Sequence, residues 1–261
     1  MPVVIEAKPA AIEAKPVVIE ARPVIFESLL DLASAPYKVT GYINYQWVRG
    51  KLRGDPIFKA LIEQTVFADN SRILDLGCGK GLLAAWLLAA EKLANTGRWI
   101  NAVPPARNLS FRGIDINPHD IDCGNEALVP TYKQRIHLVC ADIRATATGS
   151  FDAVVLLDVL HYIPYADQDR LLDDVRASLK NGGVLLTRVG DARSSLRSLL
   201  TRCIDRCVAA LRGHGMAPLF CRQLPDWIAL FEKRGFTVTP FPMSQSTPFA
   251  NVMLVARLNG C

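Results

Sequence analysis

The stretch that most constrains the fold is "ILDLGCGKG" at residues 73–81, where an apolar run ends in three glycines spaced two apart. Glycines directly after a strand let the backbone turn sharply and come close to a ligand. A nucleotide phosphate loop is excluded, because "GCGKGLL" has neither the spacing nor the GK[ST] ending of that motif. The dinucleotide fingerprint GxGxxG also fits poorly. The glycine pattern here is GxGxG, and the next strand-end acid, Asp115, lies well beyond the expected distance of about 20 positions.

Apolar strands and helices alternate after this stretch. Short continuous apolar runs with intervening helices are typical of a parallel sheet that is covered on both faces. The predicted fold class is therefore α/β, a doubly wound sheet that binds ligands beyond the carboxyl ends of its strands. The predicted strands are 72–76, 111–115, 136–140, 152–157 and 183–189, and the predicted helices are 80–92, 118–127 and 166–180.

The chain divides into five predicted segments. Residues 1–23 contain three copies of a seven-residue unit ending in proline, which excludes a coiled coil and favours a disordered tail over a docking arm. Residues 24–69 are predicted to be helical, with Asp55 as N-cap and Pro56 in the first turn of a helix. The remaining segments are a cofactor-binding core at 70–190, a helical cap insertion at 191–222, and a C-terminal helix and strand pair at 223–261.

Composition narrows the class of protein. The 261 residues are 50% hydrophobic, and no run of about 18 apolar residues is free of charge, so no membrane span is predicted. The net charge of +5 falls well short of the dense basic stripe of a nucleic-acid-binding protein. Seven cysteines form no CxxC pair and lie mostly in apolar segments, which predicts buried thiols and a reducing, cytoplasmic location. No motif with metal-ligand spacing occurs, so no metal site is predicted.

The carboxylate of Asp75, two residues before the first glycine, indicates the chemistry of the ligand. At the rim of the pocket it repels a pyrophosphate and attracts an ammonium group. With this acid, "ILDLGCGKG" resembles motif I of the class I S-adenosylmethionine-dependent methyltransferases. Four further stretches match that family in order, namely "RGIDINP", "CADIR", "FDAVVLLDVLHYIP" and "LKNGGVLLTRVGD".

The resemblance implies a fold, a cofactor and a binding site. The implied fold is a seven-stranded Rossmann-like sheet, mostly parallel with an antiparallel last strand. The cofactor is S-adenosyl-L-methionine. Its methionine part contacts the glycines, its ribose hydroxyls bond to Asp115, its adenine is framed by Asp142, and its sulfonium is faced by Asp158. The implied cofactor-binding residues are Asp75, Gly77, Cys78, Gly79, Gly81, Asp115, Ile116, Asp142, Ile143 and Asp158.

The residues on the acceptor side follow less directly from the motifs. His161 is the candidate general base, because a histidine with an ordinary pKa of about 6.5 takes up a proton near neutrality. Packing of the "LHYI" turn is the alternative role for this residue. Tyr162 and His214 are further candidates to line the substrate pocket. Tyr45 and Arg49 either cover the cofactor and pair with its carboxylate, or pack and stay solvated.

The insertion at 191–222 predicts an amphipathic helix whose arginines lie largely off the apolar stripe. The helix is either a solvated lid or a surface for an acidic partner, such as an acyl carrier protein or an anionic lipid surface. "VRGKLRGDPIF", "PLFCRQLPDW" and "SQSTPFANVMLVARL" resemble methyltransferases associated with bacterial aryl-polyene and xanthomonadin-type pigment pathways. This narrower resemblance implies a carrier-bound aromatic polyene or a small aryl precursor as acceptor.

The sequence thus predicts a cytoplasmic S-adenosylmethionine-dependent methyltransferase that acts on a small or carrier-bound organic acceptor. Methylation of oxygen is favoured, and methylation of carbon or nitrogen is the first alternative. The second alternative is a non-catalytic scaffold that binds S-adenosylmethionine, because the same acids and glycines predict cofactor binding in both cases. The identity of the acceptor and the oligomeric state do not follow from the sequence.

Overall fold

The computed structural model describes residues 22–99, 103–145, 149–190, 219–243 and 251–260. The strands in this part of the chain are β1 (Arg72–Leu76), β2 (Ser110–Asp115), β3 (Ile136–Cys140), β4 (Phe151–Leu157), β5 (Leu179–Gly190), β6 (Phe236–Pro242) and β7 (Asn251–Leu258). The α-helices in the same ranges are α1 (Arg22–Ser34), α2 (Tyr42–Gly54), α3 (Pro56–Glu63), α4 (Leu82–Asn95), α5 (Pro118–Tyr132), α6 (Tyr165–Ser178) and α7 (Leu224–Glu232).

The seven strands form one sheet in the order β3-β2-β1-β4-β5-β7-β6. The pairs β1–β2, β1–β4, β2–β3 and β4–β5 are parallel. Strand β7 runs the other way, because it pairs antiparallel with both β5 and β6. The predicted doubly wound α/β sheet, mostly parallel with an antiparallel last strand, is confirmed.

Strand β4 shows why these residues form a central strand. Its sequence "FDAVVLL" is almost wholly buried, and successive side chains alternate between the two faces of the sheet. Ala153 and Val155 belong to the apolar cluster that includes helices α4 and α5. Val154 and Leu156 belong to the cluster that includes helices α6 and α7. Helices therefore cover both faces, which is the arrangement that a continuous apolar strand requires.

The topology brings two loops to one edge of the sheet. Strand β1 lies between β2 and β4, and the chain proceeds outward in opposite directions from this central pair. Ligands of such sheets bind outside the carboxyl ends of the strands where the order reverses. The glycine loop at residues 77–81 follows β1, and residues 158–163 follow β4, so both loops border this crevice.

The N-terminal helices are fixed to the sheet through helix α4. Trp86 is fully buried, packs edge-on against the rings of Phe26 and Phe58, and donates its indole N–H to the Phe58 carbonyl at 2.8 Å. The predicted cap of α3 is confirmed, since Asp55 accepts a hydrogen bond from the backbone N–H of Ile57 and Pro56 lies in the first turn. Residues 22–63 therefore form a layer against this side of the sheet, the N-terminal layer.

Three element boundaries differ from the sequence predictions by three residues or more. Helix α4 ends at Asn95, three residues beyond the predicted end at 92. Helix α5 passes Pro130 and ends at Tyr132, because one proline in the last turn removes a single backbone donor without ending the helix. Strand β5 begins at Leu179, which pairs with Phe151, four residues before the predicted start at 183.

The cysteines are only partly as predicted. Cys78 and Cys123 are buried, whereas Cys221 is half-buried and Cys140 is exposed. The prediction of a buried thiol was wrong for Cys140, because β3 is an edge strand whose residues alternate between buried and exposed positions.

Several predictions concern parts of the chain outside the described residues. These include most of the N-terminal repeats, the predicted helix of the 191–222 insertion, and His214. In the part of the chain that the structure describes, no helix combines the length and apolar character needed to cross a membrane.

Candidate functional site

The glycine loop after β1 has backbone angles that residues other than glycine rarely adopt. Gly77, Gly79 and Gly81 all have positive φ angles, of 82°, 52° and 76°. A Cβ atom on Gly77 would lie 2.2 Å from Cγ2 of Val159, so the loop passes tightly against the chain that leaves β4. A Cβ atom on Gly79 would meet no atom within 4 Å. The loop is therefore packed at its start and open at Gly79, where a ligand can approach the backbone.

Asp115 joins the end of β2 to this open part of the loop. Its Oδ2 accepts a hydrogen bond from the Gly79 N–H at 2.8 Å, and its Oδ1 accepts one from the Asn117 N–H at 2.9 Å. A carboxylate has about four lone-pair sites, so each oxygen retains capacity for a further donor. Asp115 is thus held in place by the backbone and can still accept from two adjacent hydroxyl groups.

The prediction that Asp75 lies at the rim of the pocket was wrong, because its carboxyl group is buried behind the loop with 5% of its surface exposed. Burial and, to a smaller extent, the neighbouring carboxylate of Asp115 raise the pKa of Asp75 to about 7. Two acids at successive strand ends make the crevice negative once both are ionised. This environment favours a cationic group over a phosphate.

The raised pKa of Asp75 predicts a pH-dependent stability. The folded state holds the Asp75 proton more tightly than the unfolded chain does. The free energy of unfolding therefore falls as pH rises from about 4 to about 7 and then levels off. Asp75→Asn removes this penalty, so the variant is expected to be more stable than wild type at pH 8 by a few kcal/mol, with little difference at pH 4. Thermal unfolding of both proteins without ligand across this pH range measures the effect. A difference in stability between the variant and the wild type that does not change with pH would contradict the prediction.

Lys80 is a residue of the loop for which the sequence suggested no role. Its side chain is buried and its Nζ lies 2.6 Å from Oδ1 of Asp120, in the first turn of α5. The ammonium group also lies 5.7 Å from the ring centre of Trp47 on α2, and the Lys80 carbonyl accepts from the Tyr37 hydroxyl at 2.7 Å. These contacts fix the middle of the glycine loop between α5 and the N-terminal layer. The neighbouring Cys78 thiol has a raised pKa because it is buried.

The residues predicted to frame adenine, Asp142 and Ile143, lie in the turn after β3. Ile143 is buried, whereas Ile116, which follows β2, is 58% exposed. The guanidinium of Arg144 donates to both carboxylate oxygens of Asp142, at 2.6 to 3.1 Å, and this contact lowers the pKa of Asp142. Arg144 also lies 3.3 Å from Asp167 of α6, so the Asp142 turn is held against that helix.

Asp158 follows β4 and takes part in a charge network. It has a positive φ of 57°, and its carboxylate bonds to the guanidinium of Arg188 at the end of β5, with one contact at 2.7 Å. The same guanidinium bonds to Asp55 of the N-terminal layer, and Lys51 pairs with Asp55 at 2.7 Å. Burial opposes ionisation of Asp158 and Asp55, but Arg188 outweighs it and lowers the pKa of both. Arg188 and this second role of Asp55 were missed by the sequence analysis.

His161 lies on the other side of the crevice, in a short 3-10 turn after β4. Its ring lies 4.1 Å from the ring of Tyr162, which is 38% exposed, and its carbonyl accepts from the Phe220 N–H at 2.8 Å. His161 faces a small pocket at the ends of β4 and β5. The pocket is lined by Leu160, His161, Arg188, Val189, Gly190, Cys221 and Trp227.

Tyr45 and Arg49 are engaged within the N-terminal layer. Arg49 pairs with Asp31 at 2.6 Å and with Glu27 at 3.7 Å. The ammonium nitrogen of Lys38 lies 5.5 Å from the centre of the Tyr45 ring. A role for either residue at the cofactor or substrate therefore stays a prediction.

The family of the chain follows from comparison with known sequences. A family described as "Methyltransferase domain" matches residues 50–240, which is more than half of the chain. The chain belongs to this family of methyltransferase domains. The predicted class, an S-adenosylmethionine-dependent methyltransferase fold with that compound as its cofactor, is confirmed at the level of the family.

Individual relatives are similar over a part of their length. A carboxy-S-adenosyl-L-methionine synthase from Psychrobacter arcticus is 32% identical over 117 residues, which cover 44% of this chain and 40% of that protein. A magnesium-protoporphyrin O-methyltransferase from Rhodobacter capsulatus is 31% identical over 104 residues, which cover 40% of this chain and 39% of that protein. The chain thus spans about two fifths of the length of these two curated relatives.

A solved structure shows the same fold over nearly the whole chain. The magnesium protoporphyrin IX methyltransferase from Synechocystis PCC 6803, determined with bound S-adenosylmethionine, superposes with a TM-score of 0.54. The match covers 94% of this chain and 100% of that chain at 13% sequence identity. At this identity the likeness establishes the architecture and leaves the substrate of this protein open.

Proposed function

We propose that this protein transfers a methyl group from S-adenosylmethionine to a small organic acceptor, with oxygen as the favoured acceptor atom. The observation that carries the proposal is the placement of Asp115. Its carboxylate is fixed by the N–H groups of Gly79 and Asn117 beside an open glycine loop, at the edge of the sheet where the strand order reverses. A nucleoside with two ribose hydroxyls fits these acceptor groups.

The residues around the glycine loop suit the ribose and the amino-acid part of the cofactor. Asp115 accepts from the ribose hydroxyls, and the open side of Gly79 admits the ligand to the backbone. Asp75, once ionised, attracts the ammonium group of the amino-acid part. The bound cofactor supplies an activated methyl group, so the protein mainly has to align the acceptor and exclude water.

His161 is the group on the acceptor side that can hold a proton. It lies in the turn after β4 and faces the pocket that Leu160, Cys221 and Trp227 help to line. A histidine is suited to take a proton from a phenol or a carboxylic acid near neutral pH. The name of the Rhodobacter capsulatus relative, an O-methyltransferase, supports oxygen as the acceptor atom.

The finer parts of the proposal concern the acceptor and its delivery. We propose that the acceptor is a carrier-bound aromatic polyene or a small aryl compound, on the basis of the resemblance to the pigment-pathway methyltransferases. We also propose a cytoplasmic location. Methyl transfer to carbon or nitrogen, and cofactor binding without turnover, are the two alternatives.

Cofactor binding is expected to stabilise the protein. At a ligand concentration of about 100 times Kd, S-adenosylhomocysteine adds about 2.7 kcal/mol and raises Tm by about 5 to 10 °C. NAD at the same concentration is expected to leave Tm unchanged, because Asp75 and Asp115 disfavour a pyrophosphate. A thermal melt with each compound makes the comparison, and a shift with NAD alone would reject the cofactor assignment.

Turnover is tested with extracts of the native source. Incubation with S-adenosylmethionine is expected to yield a metabolite heavier by one methylene unit, detected by mass spectrometry, and His161→Ala is expected to reduce its formation. Asp115→Ala serves as the inactive control. Binding of S-adenosylhomocysteine without any methylated product would favour the scaffold alternative, and an N- or C-methylated product would correct the acceptor atom.

A further inference from the structure

Gln168 on helix α6 is fully buried and binds two separate segments of the chain. Its amide nitrogen lies 2.9 Å from the Leu160 carbonyl oxygen and 3.0 Å from that of Ile163, on either side of His161. The same nitrogen lies 2.9 Å from the carbonyl oxygen of Phe220, in the segment that returns to helix α7. The two N–H groups of the Gln168 amide are therefore shared among three carbonyl oxygens.

The orientation of this amide is determined by its surroundings. The Nε–H of Arg222 donates to the amide oxygen of Gln168 at 2.8 Å. The reverse orientation would place the amide oxygen against three carbonyl oxygens and the amide nitrogen against a cation. Gln168 must therefore act as donor towards the His161 loop and as acceptor towards Arg222.

Other contacts connect the same two segments. The Phe220 N–H donates to the carbonyl of His161 at 2.8 Å, and the Tyr165 hydroxyl donates to the carbonyl of Cys221 at 3.1 Å. The guanidinium of Arg222 lies 4.8 Å from the ring centre of Tyr165 and 5.8 Å from that of Trp227. Residues 220–222 are thus held along the turn that carries His161.

The two joined segments are the walls of one pocket. Leu160 and His161 line it from the β4 side, and Cys221 and Trp227 line it from the returning chain. We infer that Gln168 is a positioning residue that fixes the His161 turn against residues 220–222 and so sets the shape of this pocket. The designation of the pocket as the acceptor side rests on the proposed function, whereas the positioning of His161 does not.

A non-polar residue of similar length tests this role. Gln168→Met retains the volume but loses the donor, so the carbonyls of Leu160, Ile163 and Phe220 lose their shared partner. The His161 turn is then expected to adopt more than one position. In protein labelled with 15N-histidine, we expect the His161 ring signals to broaden or double, while the signals of His119 and His137 stay unchanged. The loss of the signals in His161→Ala assigns them.

Two further variants separate positioning from general destabilisation. Ser178→Ala removes a buried hydrogen bond to the Val175 carbonyl on the same helix and is expected to leave the His161 signals as in wild type. Arg222→Met removes the bond to the Gln168 oxygen at a more accessible site, so it tests the clamp even if Gln168→Met does not fold. It is expected to broaden the same signals to a smaller degree.

The possible results have distinct meanings. Unchanged His161 signals in folded Gln168→Met, or in Arg222→Met if the first variant does not fold, would overturn the inference. Equal broadening in Ser178→Ala would also overturn it, because the effect would then be general to helix α6. Affinity for S-adenosylhomocysteine is expected to stay within about threefold of wild type in Gln168→Met. Failure of the wild type to bind this compound would reject the proposed function. The inference on Gln168 would not be affected, because the His161 signals test it independently.

Discussion

Replacing Arg188 by methionine is expected to lower the free energy of unfolding by about 3 to 5 kcal/mol. Only 5% of the Arg188 side chain is exposed, and its guanidinium bonds to the carboxylates of Asp55 and Asp158. Methionine fills a similar volume but carries no charge. It leaves the carboxylate of Asp55, which is 7% exposed, with Lys51 as its cationic partner among the described residues. Urea denaturation of the wild type and the variant at pH 7 measures the loss.

A matched control exists on the surface of the same sheet edge. Arg144 also bridges two aspartates, Asp142 and Asp167, but half of its side chain is exposed. Solvent screens such a pair, so Arg144→Met is expected to lower the free energy of unfolding by at most about 1 kcal/mol. Equal losses in the two variants would show that burial does not decide the strength of the Arg188 network.

The pH dependence gives a second test of the same network. Arg188 lowers the pKa of Asp55 and Asp158 below the usual value, against the opposing effect of burial. Their contribution is therefore fully present above about pH 4, the unfolded-state pKa, and is lost as pH falls through the lower folded-state values. In Arg188→Met this lowering of the two pKa values is lost. The difference in the free energy of unfolding between the wild type and the variant is thus expected to narrow as pH falls below about 4.

This network also shows where sequence reasoning reaches its limit. The five parallel strands and the N-cap at Asp55 were predictable, because continuous apolar runs and capping residues leave local patterns. The bond between Asp55 and Arg188 joins positions 133 residues apart. No local pattern encodes such a pair, and "LLTRVGD" gives no sign that its arginine faces a carboxylate from the N-terminal layer. Gln168 was missed for the same reason, since its partners include Phe220, 52 positions further along the chain.

The candidate site was also predictable only in part from the sequence. The aspartates at strand ends could be found from the sequence, because parallel strands bring their carboxyl ends to one edge. The hydrogen-bond partner of each aspartate could not be predicted from the sequence. Asp115 proves to be held by the glycine loop, whereas Asp158 pairs with Arg188 and Asp142 with Arg144. Equivalent positions in the motif order thus have different neighbours, and Asp115 is the one whose surroundings favour ligand hydroxyls most directly.

Asp115→Ala is accordingly expected to weaken binding of S-adenosylhomocysteine at least about 100-fold. Two charge-assisted hydrogen bonds to the ribose contribute about 1.5 to 3 kcal/mol each, and a loss of 3 kcal/mol already exceeds a factor of 100. The variant also loses the acceptor for the Gly79 N–H, so the open part of the glycine loop is no longer held in place. Isothermal titration calorimetry with the purified variant measures the change in Kd.

The control for this experiment is an aspartate at the opposite edge of the sheet. Asp152 at the start of β4 also accepts a backbone N–H, from Arg72 at 2.8 Å, and pairs with Lys180 at 2.6 Å. Asp152→Ala removes comparable bonds far from the carboxyl ends of the strands, so its affinity for the ligand is expected to match wild type. Wild-type affinity in Asp115→Ala would show that the ribose contact is misplaced. A similar loss of affinity in both variants would mean that the weaker binding results from general damage to the sheet. A direct contact between Asp115 and the ligand would weaken binding in Asp115→Ala alone.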